Sequence, residues 1–162
     1  MTNPARDLRI DLLLDAFDRA FDRRGWHGTG LRGSLRGLAA EEAAWRPGDG
    51  RNSVWELAVH CAYWKYTVRR RITGVKRGSF AKQGSDCFLV DRVDDEAWEA
   101  DVRLLEDEHV RLREMVVTLP PDTLHDRVGG SEWTRAQLIQ GATAHDLYHA
   151  GQIQLLKRLR QG

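Results

Sequence analysis

Cysteine, proline and an excess of either charge are scarce in this 162-residue chain, and each shortage excludes something. Two cysteines, Cys61 and Cys87, are too few for a disulfide framework; they fit a reducing compartment, with Cys61 read as buried and inert. The four prolines all fall between helical stretches, so no long helix has to accommodate one. The 25 basic and 24 acidic residues leave a net charge of +1, which gives no global field to draw nucleic acid or a membrane surface. No run approaches the roughly 18 apolar residues of a membrane span. The opening Met1-Thr2-Asn3-Pro4-Ala5-Arg6-Asp7 lacks the apolar core of a signal peptide, so the expectation is a soluble, cytoplasmic protein. Period-2 alternation with β-branched residues is missing as well, which argues against a sheet.

What is present is helical periodicity, enough for one all-α domain over residues 1–162. A first helix over residues 7–23 carries Ile10, Leu14, Phe17 and Phe21 on one stripe. It breaks at Gly25-Trp26-His27-Gly28, after which Leu31, Leu35 and Leu38 resume a helical period that Pro47 stops. A second begins at Ser53, capped in a box with Glu56, runs along Val54, Leu57, Cys61, Trp64, Val68 and Ile72, and closes at Gly74. A third covers residues 94–118, with Trp98, Val102, Leu105, His109, Leu112 and Val116 in its seam, and ends at Pro120-Pro121. A fourth begins at Thr134, boxed with Gln137 and stapled by Trp133 and Leu138, and runs to about residue 160. The Gly-, Ser-, Lys- and Arg-rich connection 74–93 is far longer than usual between antiparallel helices. A crossover of that length makes the second and third helices parallel, giving an up-down-down-up four-helix bundle.

Chemistry concentrates in the fourth helix, where His145 and His149 stand one turn apart on one face, close enough for both rings to reach one metal ion. Both fall in the apolar seam Leu138, Ala142, His145, His149, Gln152, Leu156, Leu159, where polar rings need partners. His60, beside Leu57 and Trp64 on the second helix, can face the same interior. Three imidazoles from two helices would give a divalent cation three protein ligands and an open position, the arrangement of catalytic sites. The alternative is three core histidines satisfied by carboxylates or backbone carbonyls.

His109, near Glu106 and Glu108, competes for a ligand role but reads as a packed histidine. His27, at the break beside Trp26, is either a proton shuttle or a turn residue. Trp26 and Trp64 are read as pocket residues against the alternative of plain core packing, and His125 as surface loop. The basic cluster Lys65, Arg69, Arg70, Arg71, Lys76 and Arg77 reads as a solvated helix end rather than an anion site. Leu12, Leu13, Leu104, Val117 and Leu155 exceed what one bundle stripe uses, which points to an association surface.

The segments Ser53-Val54-Trp55-Glu56-Leu57-Ala58-Val59-His60 and Ala144-His145-Asp146-Leu147-Tyr148-His149-Ala150-Gly151-Gln152-Ile153 together resemble the DinB-like family. That family is named for DNA-damage-inducible bacterial proteins and overlaps the bacillithiol- and mycothiol-dependent transferases. The resemblance covers essentially the whole chain and implies a four-helix bundle, usually a homodimer. It also implies a nickel, zinc, iron or manganese ion on His60, His145 and His149. Relatives transfer or isomerise small electrophiles with a low-molecular-weight thiol, or are classed as metal-dependent hydrolases. The chain has no Gly-x-Ser-x-Gly elbow, no cysteine with an evident activating partner and no His-Glu-x-x-His base. The resemblance therefore implies a small-molecule substrate attacked by a metal-activated water or thiol, without nucleic acid or membrane as partner. A stress-responsive metal-binding protein without turnover is the rival reading, and a helical nucleic-acid-associated protein using residues 69–77 a weaker one.

Overall fold

Side-chain caps set where the long helices start. Asp7 accepts from the Arg9 amide ahead of α1 (Leu8–Phe21), and Asp94 from Ala97 ahead of α5 (Asp95–Thr118). Ser53 and Glu56 bond reciprocally ahead of α4 (Val54–Thr73), as do Thr134 and Gln137 ahead of α6 (Arg135–Gln161). Each such cap stabilises its helix by about 1 kcal/mol. Gly74, in the left-handed region at φ 73°, ends α4 where a side chain would be strained.

The computed structural model describes residues 7–162; the leading residues 1–6, on which most of the signal-peptide argument rests, lie outside the described residues. The described chain is all helical, with α2 (Leu31–Ser34), α3 (Ala40–Ala44), a single 3-10 turn at Pro121–Thr123 and no strand. No helix among the described residues is long and apolar enough to cross a membrane. The stretch expected to resume one helix at Leu31, Leu35 and Leu38 is instead two short helices. Gly37, at φ 76°, breaks the run between them.

The apolar interior falls into two clusters. One gathers Phe21, Leu31, Trp55, Leu57, Cys61, Tyr63, Trp98, Leu105 and Ile153, the other Ile10, Leu14, Phe17, Val68, Leu112, Val116 and Ile139. Between them along the helices lies a buried polar layer: Asp18 on α1, Lys65 on α4, Glu108 and His109 on α5, Asp146 and His149 on α6. The buried residues of α6 are Leu138, Ile139, Ala142, Asp146, His149, Ala150 and Ile153, while Leu159 is 53% exposed. The expected seam is buried at Leu138, Ala142 and His149, and the buried face is wider than that stripe, taking in Ile139, Asp146, Ala150 and Ile153, because α6 packs on α1 as well as α4. Asp146 and His149 are buried within that face, and His145 is half-buried at its edge.

The connection between α4 and α5 is irregular but anchored. Phe80 and Phe88 pack on Tyr63 with ring centroids 5.3 and 5.5 Å away, and the Tyr66 hydroxyl accepts from the Gly78 and Ser79 amides. This clamp sets the course of the segment that delivers Asp86 to α4.

Candidate metal centre

One turn of α6 presents His145 and His149 with ring centroids 4.3 Å apart, and His60 of α4 meets them at 5.0 and 4.9 Å. The three Nε2 atoms converge: His145 Nε2 lies 3.1 Å from that of His60 and 3.1 Å from that of His149. The outward nitrogens are held. His60 Nδ1 donates to the Asp86 carbonyl at 2.8 Å, and His149 Nδ1 donates to Gln152 Oε1 at 2.7 Å. An imidazole that donates from Nδ1 while neutral carries a lone pair on Nε2. Two lone pairs therefore point at His145 Nε2, which can supply at most one proton, so the cluster has more acceptors than donors. A cation satisfies that surplus, and this donor set suits zinc, nickel and similar divalent ions.

Burial acts in the same direction. It pushes His145 down to about 3, helped by His149, His60 and Lys65, and it also lowers His149 against the raising effect of the Gln152 hydrogen bond. Both rings are therefore neutral near pH 7, the form that ligates.

Among the described residues, two other groups of side chains come close enough together to hold an ion: His60 with Asp86 and Cys87, and Cys61 with His145 and Asp146. Their chemistry is poorer. Burial raises the Cys61 thiol well above its usual range, and burial together with Asp86 raises Cys87, so neither is poised as a thiolate. Asp146 is already engaged by Lys65.

Asp86 is the residue that sequence reasoning missed. At φ 66° it is the one non-glycine residue in the left-handed region among the described residues, a conformation that aspartate tolerates better than most. In that pose its carbonyl reaches His60 while its carboxylate accepts from Trp64 Nε1 at 2.9 Å. Nothing in the periodicity signals it, because it sits in a loop. Gln152 could have been read from its place three residues beyond His149.

Behind the histidines, Lys65 Nζ and Asp146 Oδ2 pair at 2.5 Å with both side chains 1% exposed. The ammonium also lies over the rings of Phe17 and Phe21, 4.5 and 5.0 Å from their centroids. Lys65 is therefore a core residue, a correction to its reading as part of a solvated helix end. The sequence signal was a charged residue within the buried face of α4. Arg69 is also drawn inward, to Glu108, whereas Arg71 stays exposed.

The Trp64 ring centroid lies 6.2 Å from that of His145, on the wall of a pocket of about 400 Å³ that His145 also lines. Trp26 and His27 are not brought there. Trp26 is 99% exposed, His27 is exposed with its ring against Gly25, and neither lines this pocket. The short bridge between Gly25 and Gly28 pins that turn at the end of α1 and leaves both side chains outward. His109 is buried away from the cluster, and His125 is exposed.

Fold and site together define an all-helical protein in which groups of histidine, aspartate and cysteine could hold a metal ion. The chain belongs to the DinB superfamily, whose family model matches residues 11–153, a span that includes His60, His145 and His149. Comparison with curated proteins and with solved structures finds no match.

Proposed function

We propose that this protein is a metal-dependent enzyme in which His60, His145 and His149 hold one divalent ion, zinc or nickel, and act on a small molecule. The observation that carries the reading is the convergence of three Nε2 atoms at 3.1 Å spacings with two of the Nδ1 atoms tied down. A bound ion on neutral imidazoles supplies Lewis acidity, lowering the pKa of a water or thiol presented to it. The chain's own groups do the rest. Asp86 and Gln152 fix ring orientation, burial keeps His145 and His149 unprotonated, and the pocket beside His145 gives a small molecule access. Thiol transfer to an electrophile is the leading reaction class, with a low-molecular-weight thiol as co-substrate, and hydrolysis is the second.

The frame in this reading is a four-helix up-down-down-up bundle. Contacts along α4 and α5 advance together, Trp55 with Asp101 and Arg69 with Glu108, whereas those of α4 and α6 run oppositely, Trp64 with His145 and His60 with His149. A homodimer fits the exposed Leu8 and Leu12 of α1 and the exposed Tyr148, Leu155 and Leu159 of α6.

The test is a screen of zinc- and nickel-loaded protein with bacillithiol, mycothiol, glutathione and coenzyme A against a generic electrophile, beside hydrolysis of a model ester and amide. Thiol-dependent turnover that disappears in His145→Ala supports the proposal. Ester or amide hydrolysis without any thiol dependence reverses the two reaction classes, and a metal-loaded protein inert in every arm overturns the enzyme reading in favour of a non-catalytic metal binder. Sedimentation across a dilution series, with a single species near the 18.5 kDa chain mass, would exclude the dimer.

A further inference from the structure

The pocket beside the histidines has a chemical character of its own. Trp64, Trp133, Val68 and Leu138 make its walls apolar and partly flat, and His145 lines it too, so that it borders the histidine cluster on that one side. Its volume of about 400 Å³ is in the range of small-molecule sites. Gly141 borders it on α6, and a Cβ built there meets nothing within 4 Å, so this stretch of the helix leaves the space open. Apart from the imidazole of His145, Arg71 is the one ionisable residue among those lining the pocket, and no acid lines it.

Arg71 is also uncommitted. Arg69, half a turn earlier, is spent on Glu108, and Arg113 on Asp18. Arg71 has no carboxylate partner among the described residues; its guanidinium carbon lies 5.9 Å from the Trp64 ring centroid, oriented by that aromatic face. A guanidinium held against an aromatic wall, at an apolar pocket with no acid in its lining, is a recognition element for an anion. One guanidinium balances one negative charge. A phosphate monoester, carrying close to two, would leave charge unpaired against apolar walls, so a carboxylate is the better match.

We propose that the substrate is a small carboxylic acid with a flat apolar body, its carboxylate on Arg71, its body between Trp64 and Trp133, and its reacting end toward His145. This deepens the enzyme reading above and rests on it for the role of the site, though not for binding itself.

The probe pair is 3-phenylpropionate and its neutral amide, titrated by calorimetry or ligand-observed NMR into zinc-loaded protein and into protein stripped with chelator. The stripped arm separates Arg71 from any attraction of a carboxylate to the metal. The acid is expected to bind about tenfold more tightly than the amide in both arms. Arg71→Gln should bring the acid to the level of the amide without weakening the amide, and Gly141→Leu, which grows into the pocket, should weaken both. Equal binding of acid and amide by the stripped protein, a preference that survives Arg71→Gln, or indifference to Gly141→Leu would each overturn the proposal. Because these readouts need neither metal nor turnover, a failed thiol screen and a failed pocket assignment remain separate results.

Discussion

His109 on α5 and His145 on α6 belong to helices that each pack on α1 and α4, and burial lowers the pKa of both, to about 2 and about 3. Their surroundings differ completely. The His109 ring is stacked between Phe17 and Phe21, 11° and 10° from parallel, with centroids 4.3 and 3.7 Å away, and its Nδ1 is buried without a hydrogen-bond partner. His145 instead turns its Nε2 toward two other imidazoles and borders an open pocket. Desolvation is common to both, so it cannot be what makes a candidate ligand. The difference lies in what the neighbouring helices bring: aromatic faces from α1 in one case, nitrogen donors from α4 and the next turn of α6 in the other. One histidine fills the core and the other gathers lone pairs.

The sharpest way to break this comparison is to remove the hub. His145→Ala should reduce bound zinc or nickel after loading from about one equivalent to less than about half, because two imidazoles seldom retain a divalent ion against buffer. Elemental analysis decides it, with His109→Ala as the paired control that should keep its metal. Loss of metal in the control alone would invert the assignment.

The next largest effect falls on the polar layer the two histidines flank. Lys65→Met leaves the Asp146 carboxylate buried without its ammonium partner, which should cost about 3–5 kcal/mol of unfolding free energy. Burial already raises the Asp146 pKa against the opposing pull of Lys65, so much of that loss would appear as uptake of a proton by Asp146. Urea denaturation measures it, and the double variant with Asp146→Leu should recover most of the loss. A single variant as stable as the parent would show that this pair contributes nothing.

Gln152→Ala should weaken metal affinity by roughly 10–100-fold while leaving the fold intact, since it frees the Nδ1 side of His149. Competition with a chromophoric chelator reads this directly. An unchanged affinity would mean that His149 is oriented by packing alone.

The smallest effect tests His109 itself. Burial first, then the nearby cations Lys65 and Arg113, holds its pKa near 2 in the folded chain, with Asp18 the facing acid at 3.9 Å. The unfolded chain takes up that proton below about pH 6.5, so the unfolded state binds more protons and stability falls as the pH drops from about 6.5 toward 2. This residue contributes at most about 1.4 kcal/mol per pH unit to that fall. His109→Phe keeps a ring between Phe17 and Phe21 and removes the titration. Urea midpoints of metal-stripped protein at pH 7.5 and 5.5 should therefore converge in the variant relative to the parent.

Much of the fold was legible because helix signals are local. Ser53 with Glu56, Thr134 with Gln137, Asp94 and Gly74 each act through atoms within a few residues, and the structure places helix ends at all of them. The stripe Ile10, Leu14, Phe17, Phe21 is buried as its period requires. The turn at Trp26 and His27 was not legible as a site, because what decides its role is which way an irregular backbone points its side chains. The same holds for Lys65: a lysine on a buried helix face can look like part of a basic run until an aspartate arrives from 81 residues away.

By itself the sequence determined the four long helices, their caps, the long connection between α4 and α5, and the spacing that sets His145 and His149 one turn apart, because all of these follow from contacts within one or two helical turns. His60 was legible as a third candidate from its place on the second helix, but only the tertiary structure decided that Asp86 holds its ring and that Arg71, without a carboxylate partner among the described residues, lies beside an apolar pocket. Those outcomes depend on how α4 and α6 are rotated against each other and where a loop is clamped, which the distant packing of many side chains sets together.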